Sequence, residues 1–164
     1  MIEIRLLDSN VYKGRKLRFE YVTPGYLELN ILDLSFCFEY KGFDEPQSRG
    51  FEDELLSDWL EKPILFGAFV DDELAGIIEG SMEQWNKRFR ISNLLVFEPY
   101  RKQQIASRLL DHMMLEAKQV KARMIILETQ SCNIPAIECY RKKDFTSLDS
   151  IPMLTQMKIL ACTK

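Results

Sequence analysis

The chain has 164 residues, 46% of them hydrophobic and 29% charged, with a formal net charge of −3. That length predicts one domain, residues 1–164, with room for a substantial core. The acidic balance argues against a general nucleic-acid binder, which needs a strongly basic face, and no apolar run reaches the roughly 20 residues of a membrane span. The cysteines are Cys37, Cys132, Cys139 and Cys162, none in a CxxC pair, and His112 is the single histidine, so no metal site is expected. The cysteines read as reduced thiols of a cytoplasmic protein, and the charged N-terminus MIEIRLLDSN does not read as a signal peptide.

In chain order, IEIRLL (residues 2–7) suits a first strand and LRFEYV (17–22) a second extended piece. Residues 26–40 mix periods, and Leu27, Ile31, Leu34 and Phe38 favour a helix. KGFDEPQSRG (41–50) carries Gly, Pro and polar residues and reads as a loop. FEDELLSDWLEK (51–62) has Phe51, Leu55, Leu56, Trp59 and Leu60 at helical spacing, an acidic first turn, and Pro63 to end it. ILFGAFV, the turn Asp71-Asp72 and ELAGIIEGSM then form a hairpin. FRISNLLVF (89–97) is a strand stopped by Pro99. A helix over 103–120 carries Ile105, Leu109, Leu110, Met113, Ala117 and Val120 on one face. RMIILET (123–129) has the continuous apolar run of a central strand. A short helix over 134–143 follows, with Pro135 in its first turn, and FTSLDS and MLTQMKIL close the chain as extended pieces. The pattern is mixed α/β, a hairpin meander leading into a βαβ unit. Trp59, Trp85 and most phenylalanines read as core, with some free to line a cleft.

Chemistry concentrates in residues 91–145. A strand running straight into a helix N-terminus makes an anion site, because the first N–H groups of the helix are unpaired and its dipole favours negative charge. LLVFEPYRKQQIA (94–106) resembles the acetyl-CoA-binding segment of the GNAT N-acetyltransferase superfamily, whose pattern is R/Q-x-x-G-x-G/A after a strand ending in Val. Arg101 matches the first position and Ala106 the last. Asn133, Ala136 and Tyr140, followed by Phe145, match the family's second signature, N-x-x-A-x-x-x-Y with a closing Gly-Phe. Through LETQ (127–130), Trp85-Asn86 and the DDEL turn, the likeness is to members that acetylate streptothricin-type antibiotics. It covers residues 63–148.

The resemblance implies a single GNAT-like domain with a mixed, splayed β-sheet flanked by helices. It implies acetyl-CoA as co-substrate and transfer to a primary amine. The backbone of Leu94, Leu95 and Val96 would hold the pantetheine arm as an added strand. The N–H groups of Lys102, Gln103, Gln104, Ile105, Ala106 and Ser107 would hold the diphosphate, Arg101 would also bind the cofactor, and Asn133 would bond the cofactor arm. Tyr140 would be the acid that protonates the leaving sulfur, and Glu128 the base, with Glu79 and Glu83 as alternatives. Expected partners are a small amine acceptor, without nucleic acid or membrane, in a monomer or homodimer. Two other readings follow from the same residues: a peptide N-terminal acetyltransferase, or a sensor module that binds acyl-CoA weakly. Gln104 stands where the family has a phosphate-loop glycine, Asp144 where it has the glycine before Phe145, and Ser92 and Asn93 where streptothricin-type members tend to be acidic.

Overall fold

The computed structural model describes residues 1–33, 35–147 and 155–160. β1 (Ile2–Leu6) leads into a single helical turn, α1 (Ser9–Tyr12), capped where Asp8 accepts the N–H of Asn10 at 2.9 Å. β2 (Lys16–Leu32) and β3 (Ser35–Glu54) form a long antiparallel ribbon of their own. β4 (Ile64–Val70), β5 (Glu73–Glu83) and β6 (Arg88–Val96) follow as the expected meander. Asp71 and Asp72 make their turn with φ of 49° and 66°, the left-handed pair a type I′ hairpin needs. α2 (Ile105–Gln119), β7 (Met124–Gln130) and α3 (Ile134–Arg141) complete the predicted unit. β8 (Thr146–Ser147) and β9 (Thr155–Leu160) lie in the two closing segments, whose remaining residues fall outside the described ones. The main sheet runs β1-β4-β5-β6-β7-β9-β8, antiparallel as far as β6 and parallel from there on. The mixed α/β class and flanking helices agree with expectation.

The ribbon is the main correction. Residues 26–33 and 35–40 are not helical, 41–50 are not a loop, and 51–54 belong to a strand rather than a helix. The reason lies in a coincidence of periods. Leu27, Leu29 and Ile31 alternate strictly, and so do Phe36, Phe38 and Tyr40, so the apolar residues that suggested a helix also satisfy a period of 2. The acidic run Glu52-Asp53-Glu54 is matched across the ribbon, Glu52 opposite Arg18 and Glu54 opposite Lys16. Opposite charges facing each other favour that register. Past Glu54 the chain turns instead of coiling. Leu55 and Leu56 plunge into the core, Leu56 at φ 58°, and Lys62 turns at φ 47° before Pro63.

A two-stranded ribbon is marginal by itself. Here it is anchored at both ends of its inner face. Leu17 packs with Leu7, Leu55, Leu56, Leu65, Ile77 and Leu95 in a core on one side of the sheet. Farther along, Leu27 N–H donates to Ser131 O at 2.9 Å and the Tyr21 hydroxyl to Gln130 Oε1 at 2.7 Å. The larger core lies on the other side, where Ile105, Leu109, Leu110, Met113 and Ala117 of α2 meet Ile78, Phe89, Ile91 and Leu127. Val120, expected on that face, caps the helix and is exposed. Gly76 sets how closely α2 begins against the sheet: a Cβ there would fall 2.9 Å from Leu95 O and 3.2 Å from Ile105 Cγ2.

Trp59 and Trp85 are exposed, not core. Cys37 and Cys139 are free, but Cys132 is disulfide-bonded, so the reading of every cysteine as a reduced thiol fails there; Cys162 lies outside the described residues. His112 is half-buried, its ring edge-on to Phe66 at 4.4 Å. Among the described residues no helix is long and apolar enough to cross a membrane.

Candidate active site

The site begins where the sheet comes apart. β6 and β7 pair through four positions, from Arg88 opposite Met124 to Ile91 opposite Leu127, and then separate. Beyond that point, among the described residues, Asn93–Val96 pair only with β5, whose register with β6 runs on to Gly76 opposite Val96. The cause is an extra residue. The β5–β6 register shifts between Glu79 and Gly80, leaving Ser92 as a bulge in β6, and a bulge bends and twists the strand that carries it. The result is a slot between the upper halves of β6 and β7, with the edge of Leu94, Leu95 and Val96 on one wall.

Glu79 holds the bulge. Its carboxylate is fully buried and accepts from Leu56 N–H at 2.6 Å, Ser92 Oγ at 2.6 Å and Asn93 Nδ2 at 2.9 Å. A buried carboxylate needs this degree of hydrogen bonding. Its oxygens are therefore engaged in holding the bulge.

Above the slot, the turn into α2 has two non-glycine residues in the left-handed region, Lys102 at φ 62° and Gln104 at φ 63°, ψ 13°. Gln104 thus takes up the backbone conformation that a glycine would adopt most easily. Among the described residues no acceptor engages the N–H groups of Lys102, Gln103, Gln104, Ile105, Ala106 and Ser107; the Arg101 N–H donates to Glu98 O at 3.3 Å, and Arg108 is the first to bond back into the helix, to Gln104 O at 3.1 Å. Six adjacent donors at a helix N-terminus form an anion cradle. Arg101 Nε donates to Val96 O at 3.2 Å, and Gln103 Nε2 to Pro99 O at 3.3 Å, tying the turn to the end of β6. A left-handed conformation costs a non-glycine residue about 1–2 kcal/mol. Gln104→Gly is therefore expected to raise stability by about 1 kcal/mol after the extra chain entropy of glycine is subtracted, a gain of roughly 2–4 °C in a thermal melt. No gain would mean that the glutamine side chain stabilises the turn in a way its geometry does not reveal.

α3 is fixed at both ends. Asn133 Oδ1 accepts the N–H of Ala136 at 3.3 Å, and Pro135 occupies the first turn, as predicted. At the far end Asp144 is left-handed at φ 60°, Phe145 N–H reaches Tyr140 O at 3.1 Å and Asp144 N–H reaches Arg141 O at 3.2 Å. These are the two bonds of a Schellman motif, with the Phe145 and Tyr140 rings 6.1 Å apart as its apolar contact. Tyr140 is held in place by this cap. Burial, with a smaller contribution from Cys139, pushes its phenol well above the ordinary tyrosine range. It is fully protonated at neutral pH. No hydrogen bond among the described residues engages its hydroxyl.

Glu128 sits across the sheet from Tyr140. Leu127 faces α2 in the main core, so the next residue of β7 faces the other side. There Arg90 joins two carboxylates, with Nη1 3.1 Å from Glu128 Oε1 and Nε donating to Glu83 Oε1 at 2.6 Å. Burial alone would raise the Glu83 carboxyl, but hydrogen bonds from Arg90, Arg88 and Asn86 outweigh it and hold the group below the usual carboxylate range. Glu128 is the more exposed of the two, with a side chain 34% accessible against 15% for Glu83. The acid and base candidates thus flank the slot from opposite faces.

On the Glu128 side an open cleft of about 900 Å3 lies between the ribbon and the end of β6, bounded by Tyr21, Arg49, Phe51, Leu95, Phe97 and Arg101 among others. Tyr21, Arg49 and Arg90 were not singled out from sequence. For the ribbon pair the available signal was the alternation Leu17-Phe19-Tyr21, half-buried or buried at every other position.

Known proteins resemble this chain in sequence and fold. The profile of the Acetyltransferase (GNAT) family matches residues 29–145. Streptothricin acetyltransferase of Escherichia coli is 35% identical over 154 residues, covering 94% of this chain and 86% of that protein. Among solved structures, nourseothricin acetyltransferase superposes with a TM-score of 0.73 at 22% identity, covering 90% of this chain and 84% of its own. An acetyltransferase of Bacillus anthracis str. Ames, solved in complex with acetyl coenzyme A, gives a TM-score of 0.69 at 21% identity, covering 89% and 82%. The chain therefore belongs to the GNAT family of acetyltransferases, and its chemistry is acetyl transfer from acetyl-CoA to an amine.

Proposed function

We propose that the protein acetylates a small cationic amine of the streptothricin type in a ternary complex, with the coenzyme in the slot between β6 and β7. The observation that carries this reading is the parting of those strands beside six unengaged N–H groups. The pantetheine amides would add to the exposed edge of Leu94–Val96, and the diphosphate would sit on the cradle from Lys102 to Ser107, with Arg101 beside it. Asn133, already the cap of α3, would bond the cofactor arm. A backbone N–H near the bulge would polarise the acetyl carbonyl as an oxyanion hole does. The neutral amine attacks that carbonyl; a C–N bond forms, the C–S bond breaks, the amine proton passes to Glu128, and Tyr140 gives its proton to the departing thiolate.

Three facts support the acceptor class. The curated relative acts on streptothricin by name, at 35% identity over most of both chains. The cleft on the Glu128 side is open and large enough for an antibiotic-sized molecule. Glu52 and Glu98 line it, are exposed, and offer carboxylates to a polycation. The weak-sensor alternative loses its main ground because Gln104 adopts the backbone conformation the missing glycine would supply. Cytoplasmic residence stays part of the proposal: free Cys37 and Cys139 fit it, while the bonded Cys132 does not.

Glu128→Gln tests the base. Turnover is expected to fall about 100-fold, the lower end of general-base effects, because the pocket and the cofactor cradle stay intact. Free thiol release, followed with streptothricin and with a peptide N-terminus as acceptors, reads both the activity and the acceptor class. Unchanged turnover would remove Glu128 from the mechanism, and preference for the peptide would overturn the acceptor.

A further inference from the structure

Among the described residues, the ribbon carries a cation with no counter-ion. Arg49 of β3 lies directly opposite Tyr21 of β2. The Tyr21 hydroxyl donates to Gln130, the last residue of β7, which places this pair at the open end of the slot. Arg49 directs Nη2 to a neutral partner, Gln47 Oε1, at 2.7 Å. Its Nε is buried with no acceptor. Among the described residues no carboxylate comes within ion-pair distance of it. Of the carboxylates bounding the same cleft, Glu20 pairs with Arg18 at 2.8 Å, and Glu52 and Glu98 are exposed. A second cation of the cleft, Arg101, has among the described residues only the Val96 carbonyl as side-chain partner.

Buried guanidinium donors are rarely left unpaired, and a planar N–H fork matches the oxygens of phosphate or carboxylate. We propose that Arg49, together with Arg101, forms an anion-recognition site at the slot mouth that binds a phosphate or carboxylate group of a bound substrate. The idea rests on the reading of the slot as the acetyl-transfer site. The same oxyanion chemistry has two sources, the coenzyme diphosphate and a carboxylate on the acceptor.

Arg49→Met and Arg49→Lys separate them. Calorimetric titration with CoA and with pantetheine, which lacks the phosphates, forms one arm. KM values for matched primary amines with and without a carboxylate form the other. If the coenzyme is the source, Arg49→Met weakens CoA binding about 10- to 100-fold and leaves pantetheine unchanged. If the acceptor is the source, KM rises by a similar factor for the carboxylate-bearing amine alone. Arg49→Lys, which keeps the charge without the fork, falls between. The ligand-free Arg49→Met protein melts within a few degrees of the wild type, because the buried Nε has no partner to lose and the bond removed, Nη2 to Gln47 Oε1, is a single hydrogen bond to a neutral group. Wild-type affinities in both arms overturn the inference, and so does a lower melting point with unchanged ligand affinity, the mark of a purely structural arginine. Failure of the wild-type protein to bind CoA would instead overturn the acetyl-transfer reading beneath it.

Discussion

Tyr140→Phe is expected to lower kcat by about 10²- to 10⁴-fold while leaving the dissociation constant of acetyl-CoA nearly unchanged. The phenol has the two properties of a general acid for a thiolate. Burial keeps it protonated to higher pH than an ordinary tyrosine, and its hydroxyl has no competing partner among the described residues. The Phe variant should also be as stable as the wild type, since no intramolecular hydrogen bond is lost and the contact with Phe145 remains. The pH profile adds a second check, with a definite sign. A phenol whose pKa is raised stays protonated to higher pH than an ordinary tyrosine, near 10, so the alkaline fall in kcat should lie above that value. At lower pH, activity should climb as the acceptor amine loses its proton. Equal loss of turnover and of coenzyme affinity in Tyr140→Phe would make the residue a positioning group and not an acid.

Glu79→Ala is expected to cost about 3 kcal/mol or more, because three donors lose a charged acceptor inside the protein. For a chain of this length that corresponds to a fall of roughly 6–12 °C in a thermal melt. The donors come from separate places: Leu56 from the segment after the ribbon, Ser92 and Asn93 from the bulge of β6. Loss of the carboxylate should therefore loosen both the bulge and the wall next to it. Acetyl-CoA affinity should drop with stability, in contrast to Tyr140→Phe. Urea denaturation measures the first effect and titration the second. A loss below about 1 kcal/mol would show that the bulge stands without its carboxylate.

The parts of the fold read correctly from sequence are those whose signals are local. The Asp71-Asp72 turn, the apolar face of α2 and the Asn133–Pro135 start of α3 each declare themselves within a few residues. The ribbon was misread because its apolar residues satisfy the periods of helix and strand together, and what decides between them is pairing across the ribbon. The candidate cofactor site is visible in sequence as two local patterns, Arg101 and Ala106 at the turn into α2 and Asn133 and Tyr140 along α3. For Glu79, an alternative base with Glu83, sequence shows only an acidic residue on a strand and not the three donors that surround it. Arg49 and Tyr21 escaped notice for the same reason: Tyr21 meets Gln130 across 109 positions of chain. Such long-range polar contacts leave no periodic trace.

The account turns on the coenzyme entering the splayed slot with its diphosphate on the amides that open α2. A crystal structure with acetyl-CoA tests this most directly. The pantetheine arm should run along Leu94–Val96 with its diphosphate oxygens within hydrogen-bond distance of the N–H groups between Lys102 and Ser107, and the thioester should lie between Tyr140 and Glu128. Coenzyme bound elsewhere, or the Gln104 side chain folded over the amides with the slot shut, would contradict it.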